Sequence, residues 1–129
     1  MTAVAAIVNY EGNILLGKKK SDSAKFLAGE WHIPGETIER GETDEQALRR
    51  GMKEEAGLDI TVGNYIASST TPTTKSECRW YECFSKTNNI IPGSDLENVK
   101  WVPKNLVMAV CSAEATSLWP KKVIDYFSH

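Results

Sequence analysis

Apolar and polar positions along this chain follow two different periods, and the change of period marks its main elements. Thr2 to Asn9 (TAVAAIVN) is an apolar, β-branched run, the pattern of a buried strand. Glu11-Gly12-Asn13 carries turn chemistry, and Asn13 to Lys19 (NILLGKK) reads as the returning arm of a hairpin. The polar stretch Ser21 to Gly29 predicts a loop. Trp31-His32-Ile33 predicts a short strand that stops at Pro34-Gly35, and Thr37 to Glu42 reads as irregular.

The period then becomes helical. Thr43 is a good N-cap with Gln46 placed to close a capping box, and Asp44 and Glu45 suit the positive helix end. The helix should run to Ala56, with Gly57 as the left-handed residue after it. At roughly 100° per residue, Leu48, Met52 and Ala56 form an apolar stripe. The face beside it carries Ala47, Arg50, Gly51, Glu54 and Glu55, while Arg49 and Lys53 point toward water.

Further strands are predicted at Ile60 to Val62, Tyr65 to Ser68, Arg79 to Ser85 and Val99 to Val102, with turns at Asn88-Asn89 and Pro92-Gly93. A helical turn should follow Pro103. The tail from Pro120 to Phe127 reads as a terminal helix with Val123, Ile124 and Phe127 on one face. No repeat or linker interrupts the pattern. Strands alternating with two main helices imply an α+β chain, residues 1–129 forming one domain with a mixed sheet covered by helices.

Composition narrows the function. A formal charge of −2 argues against a binder of polymeric nucleic acid, which normally carries a basic excess, but is compatible with a small phosphorylated ligand. No apolar run is long enough to span a bilayer, and Met1 to Tyr10 lacks the features of a signal peptide. Cys78, Cys83 and Cys111 are odd in number and have no C-x-x-C spacing, so reduced thiols and a cytoplasmic location are expected.

The chemistry concentrates between Glu30 and Leu58. Adjacent carboxylates such as Glu54-Glu55 are by themselves commonplace on a solvated helix face. Here Glu39 and Glu42 precede the helix and can fold back toward it, next to the Pro34-Gly35 turn. Converging carboxylates repel unless a hard cation neutralises them, and oxygen-only ligation suits Mg²⁺ or Mn²⁺.

The stretch EWHIPGETIERGETDEQALRRGMKEEAGL resembles the Nudix box, G-x5-E-x7-R-E-U-x-E-E-x-G-U, in which U is bulky and aliphatic. Aligned without gaps, Glu42 takes the first glutamate and Arg50 the arginine. Met52 and Leu58 take the aliphatic positions, Glu54 and Glu55 the E-E pair, and Gly57 the last glycine. Pro34-Gly35, Glu39 and Gly41 match the extended pattern P-G-G-x-x-E-x-G-E. The resemblance implies an α/β/α sandwich, a Mg²⁺-dependent hydrolase of MutT-like type, and a small nucleotide-like substrate cut at a diphosphate linkage. It implies metal ligation by Glu54 and Glu55 with the Gly35 carbonyl, orientation of these carboxylates by Arg50, and a brace between loop and helix at Glu42. Members of the family often form dimers.

Two positions depart from the pattern. Glu36 replaces the second glycine of P-G-G, and Gly51 replaces the glutamate after the arginine, a residue that in the family commonly binds metal. A helical glycine costs roughly 1 kcal/mol relative to alanine, so helix propensity gives no reason for it. Three expectations stay open: Glu36, Glu39 or an acidic residue of the Asp95–Glu97 segment supplies the missing carboxylate; the enzyme is slow; or the chain binds nucleotides without hydrolysing them. Among other candidates, Lys18 with Lys19 and Lys20 could meet phosphates, and Arg79, Tyr81 or a neighbouring aromatic such as Trp80 or Trp119 could contact a nucleotide. His32 reads as a structural histidine.

Overall fold

The computed structural model describes residues 2–22, 27–71, 75–93 and 96–128. Strands β1 (Thr2–Tyr10), β2 (Asn13–Lys19), β3 (Trp31–His32) and β4 (Gly35–Thr37) precede helix α1 (Asp44–Ala56). Strands β5 (Ile60–Thr70), β6 (Glu77–Ser85) and β7 (Leu96–Pro103) follow, then a 3₁₀ turn at Lys104–Leu106 and helices α2 (Val107–Val110), α3 (Ala113–Thr116) and α4 (Lys121–Phe127). The strands form one mixed sheet in the order β3-β2-β1-β6-β5, with β4 joined to β1 and β7 to β2. The β1–β6 pair is parallel, and the other pairs are antiparallel.

Strand β1 lies at the centre because its residues are apolar on both faces. Val4, Ala6 and Val8 meet Leu48, Met52 and Ala56 of α1 on one side of the sheet. Ala5 and Ile7 face a second cluster, with Val107, Trp119, Val123 and Phe127 from the C-terminal helices. Complete burial of side chains such as Leu48 and Met52 contributes roughly 1.5–3 kcal/mol each. The two clusters make the layers of an α/β/α sandwich.

Both ends of α1 follow from local chemistry. Thr43 and Gln46 form the reciprocal capping box, and Gly57 ends the helix at φ 70°, a left-handed conformation that glycine adopts without Cβ strain. The loop after β6 adds a latch: the amides of Ile91 and Gly93 donate to the carbonyls of Ala56 and Glu55, each at 3.0 Å.

Several elements differ from the sequence expectation. Gly35–Thr37 is a strand rather than a turn running into irregular chain, because it pairs with Ala3–Ala5 of β1. The two strands expected between Ile60 and Ser68 are one, with register shifts between Val62 and Ala67 absorbing the turn-like Gly63-Asn64 as bulges. Strands β6 and β7 begin earlier than expected, at Glu77 and Leu96. Helices α2 and α3 span four residues each, too few to show periodicity. Part of the loop expected from Ser21 to Gly29 (23–26) lies outside the described residues.

The hairpin β1–β2 pairs only beside its turn, at Asn9↔Ile14 and Tyr10↔Asn13. Farther along, β1 turns to β4 while β2 pairs with β3 and β7. The Ala6 amide, donating to the Pro34 carbonyl at 2.9 Å, bridges the divergence. The widening between these strands is where the cavity described below lies.

A Cβ at Gly93 would fall well inside van der Waals contact distance of the Glu54 carbonyl oxygen. Gly93→Ala should therefore displace the latch and destabilise the fold by about 1–3 kcal/mol, the usual range for overpacking. Urea unfolding checks this, and an unchanged midpoint would show that the latch gives way freely.

Candidate active site

Arg50, two turns into α1, gathers the box carboxylates. Its Nε and Nη2 donate to both oxygens of Glu42 at 2.7 and 2.9 Å, and Nη2 also donates to the Thr37 carbonyl at 2.9 Å. Its Nη1 lies 3.3 Å from Glu54 Oε2, 3.5 Å from Glu39 Oε1 and 3.7 Å from Glu36 Oε2. The bidentate contact is the strong geometry for a guanidinium and a carboxylate. Glu42 Oε1 also accepts from the Glu39 amide at 2.8 Å, so one carboxylate ties the loop to the helix. Gly41, at φ 84°, lets the chain turn between these two glutamates.

The two departures from the box touch each other. A Cβ on Gly51 would stand 2.8 Å from Glu36 Cβ and 3.0 Å from its Cγ, so the Glu36 side chain occupies the space over Gly51. Gly35, Glu36 and Glu55 line a cavity of about 350 Å³. Glu55 is buried there, whereas the Glu54 side chain is half exposed beside Arg50. Among the described residues, no three acidic, histidine or cysteine side chains converge as a closed metal cage. Asp95, one of the acidic residues considered as a substitute for position 51, lies outside the described residues, and Glu97 accepts from the Ser21 amide and hydroxyl at 2.9 and 3.1 Å.

Strand parity separates the remaining candidates. Lys19 lines the cavity, while Lys18 points away and stands 3.9 Å from Glu97. Arg79 makes a two-pronged contact with Asp44, 2.7 Å at each prong, and the Tyr81 hydroxyl donates to the same carboxylate. The Arg79 hydrogen bonds hold the Asp44 carboxyl below its ordinary range. Arg79 and Tyr81 thus fasten the start of α1 to the sheet. Trp80, between them, faces the other way and joins Trp119 and Leu118 in the cavity wall. Asp44 reads from sequence as a helix-dipole partner; its role as an anchor needs the strand register to be seen. Ser69 and Cys78, also in the wall, carry no sequence signal. Burial pushes the Cys78 thiol up to about 11, so it is protonated and not a nucleophile at neutral pH.

Fold and site together define a class: an α/β/α sandwich whose central helix carries an arginine that gathers carboxylates from strand, loop and helix beside a cavity. Comparison with known proteins agrees. The NUDIX domain model matches residues 1–127, and the chain belongs to the Nudix family. It is 30% identical over 131 residues to the nucleoside triphosphatase NudI of Enterobacter sp. (strain 638), covering 91% of this chain and 92% of the relative. It is 43% identical over 65 residues to the CTP pyrophosphohydrolase of Escherichia coli K12; that match takes in 50% of this chain and spans about half (47%) of the relative's length. Among solved structures, a NUDIX hydrolase from Nitrosomonas europaea superposes with a TM-score of 0.77 at 20% identity, over 98% of this chain and 69% of that one.

The Arg50 hydrogen bond, followed by the Glu39 amide, holds the Glu42 carboxyl at about 2 against an ordinary 4.5. Between those values the unfolded chain binds the proton that the folded chain refuses. The stabilisation is therefore complete above the ordinary value and is lost as pH falls through the folded one. Glu42→Gln should be less stable than the parent at neutral pH, and the gap should close on acidification across that window. Denaturant midpoints measured at several pH values check this, and a constant gap would mean that the ion pair adds no stability.

Proposed function

We propose that the chain hydrolyses a phosphoanhydride bond in a nucleoside triphosphate or related nucleoside diphosphate derivative. The metal would be Mg²⁺ or Mn²⁺, held by Glu54, Glu55, Glu36 and the Gly35 carbonyl. One observation carries this reading: a single cavity is lined at one part by the box residues Gly35, Glu36 and Glu55 and at another by Trp80, Trp119 and Leu118. Oxygen donors suit a charged diphosphate with its cation, and an apolar aromatic wall suits a nucleobase. The names of the relatives, nucleoside triphosphatase and CTP pyrophosphohydrolase, support the same substrate class.

The donor set is carboxylate and carbonyl oxygen, which fits a hard cation that takes the rest of its shell from water and substrate phosphates. When bound, the metal supplies charge neutralisation at the diphosphate and a more acidic water. Arg50 keeps Glu36 and Glu54 at one place. Glu55 acts from the buried face of α1, and Lys19 brings a positive charge to the same cavity for the phosphates. Glu36 takes the space that a side chain at position 51 would need, so strand β4 offers a carboxylate where the helix lacks one.

Release of phosphate products from a panel of nucleoside triphosphates, nucleotide sugars and dinucleoside polyphosphates, with Mg²⁺ or Mn²⁺, tests the activity. Glu54→Gln should lower the rate by at least about a hundredfold, since even groups behind metal ligands are worth 10–100-fold. If parent and variant are equally inert while the parent binds nucleotide with metal, the chain is a binding module, the reading that Gly51 favours. Mn²⁺ affinity tests the replacement separately. Glu36→Gly should weaken it by about tenfold or more, and Glu36→Gly combined with Gly51→Glu should recover it. A double variant that binds Mn²⁺ no better than Glu36→Gly would remove Glu36 from the metal site.

A further inference from the structure

His32 belongs to none of the roles above, yet it stands in the wall of the same cavity. It lies on β3 opposite Gly17 and is 6% exposed. Its Nδ1 is 3.0 Å from the Glu30 carbonyl oxygen. A carbonyl can only accept, so Nδ1 carries the ring proton and Nε2 is left with a lone pair. Burial, aided by the nearby charge of Lys19, lowers the imidazole pKa to about 4, and the ring is neutral at physiological pH.

Among the described residues, the Glu30 carbonyl is the ring's one hydrogen-bond partner, and no fully buried side-chain nitrogen or oxygen lacks a partner. Nε2 is therefore not sealed in the protein interior, and the cavity that His32 lines is where it can meet a ligand. An acceptor held this way has a definite preference. Phosphate oxygens near neutral pH are themselves acceptors and offer it nothing. Sugar hydroxyls and the amino or ring N–H groups of a base are donors. Among the described residues, no cage of metal-ligating side chains includes His32.

We propose that His32 Nε2 is a specificity determinant that accepts a hydrogen bond from an O–H or N–H donor on the nucleoside part of the bound substrate. This rests on the nucleotide-hydrolase reading and deepens it: the diphosphate would be read by the box residues, the nucleoside in part by His32. A site built to pair with a substrate donor discriminates strongly against an analogue without it, because the protein acceptor is then left unpaired.

Equilibrium binding of non-hydrolysable nucleoside triphosphates, with Mg²⁺, to the parent, His32→Leu and His32→Gln tests this. The ligand panel includes 2′-deoxy, 3′-deoxy and deaminated analogues, and imidodiphosphate serves as a probe of the phosphate end alone. His32→Leu should raise Kd by about tenfold for ligands that carry the contacted donor, the scale of one hydrogen bond. KM should rise with it while kcat stays near the parent value, and His32→Gln, which keeps an acceptor, should restore most of the affinity. One analogue should bind the parent and His32→Leu alike, and it identifies the donor. If the Leu variant is unfolded, His32→Phe repeats the measurement.

A fall in kcat with Kd unchanged would overturn the proposal in favour of a role in the chemical step. Equal weakening of every ligand, imidodiphosphate included, would overturn it in favour of a general effect on cavity shape. Tight nucleotide binding that is indifferent to His32 sinks this inference alone. A parent that neither binds nor cleaves any nucleotide sinks the hydrolase reading on which it stands.

Discussion

The guanidinium of Arg50 is the interaction on which the site depends. Four carboxylates, from Glu36, Glu39, Glu42 and Glu54, come within 4 Å of it, and they arrive from three separate pieces of chain. Two like charges 4 Å apart near a protein surface repel by about 4 kcal/mol, so such a group would splay without a cation at its centre. Arg50 supplies that cation permanently, because its contact with Glu42 raises an already high pKa further. One positive charge still leaves a negative excess. In the proposed reaction a divalent cation and the substrate phosphates would complete the neutralisation, since a hard cation takes much of its shell from water and phosphate rather than from a protein cage.

An arginine can organise loops only if its own helix is fixed. The capping box at Thr43 sets one end of α1, and Asp44 adds a cross-link to Arg79 and Tyr81 of β6. The Gly57 turn and the backbone latch from Ile91 and Gly93 set the other end. Between them, Leu48, Met52 and Ala56 press the helix onto β1. The sheet in turn provides the cavity by letting β1 and β2 part company after two residue pairs. A fully paired hairpin would have closed the space that Gly35, Glu36, His32 and Trp80 now line.

Much of this was legible in the sequence, and the reason is locality. The caps of α1, its apolar stripe and the spacing of Arg50, Glu54 and Glu55 depend on residues within a few turns of one another, so pattern reading recovers them. What escaped depends on partners far along the chain. Gly35–Thr37 is a strand only because β1 is available to it. The choice among Arg79, Trp80 and Tyr81 depends on which face of β6 meets α1, and sequence gives the alternation but not its phase. Lys18 and Lys19 differ for the same reason. His32 read as a structural histidine, and half of it is: Nδ1 is committed to Glu30, while the fate of Nε2 could be seen only with the cavity in place.

The pair Glu36 and Gly51 shows how two apparent defects become one arrangement. Read singly, Glu36 spoils a glycine turn and Gly51 weakens a helix by roughly 1 kcal/mol. In the folded chain the Glu36 side chain and any side chain at position 51 compete for the same space. Any side chain at position 51 begins 2.8 Å from Glu36 Cβ, and Glu36 can lie where it does only because the helix surface beneath is bare. The helix penalty is therefore tied to packing: a glycine there makes room for a carboxylate carried in from β4. That carboxylate reaches the same arginine nitrogen as Glu54, and it does so from a strand anchored to the central strand of the sheet. Rigid backbone at both origins matters here, because a carboxylate held by a strand is positioned as firmly as one held by a helix. The contact ties the two positions to one another, and it lies in the wall of the same cavity as Glu55.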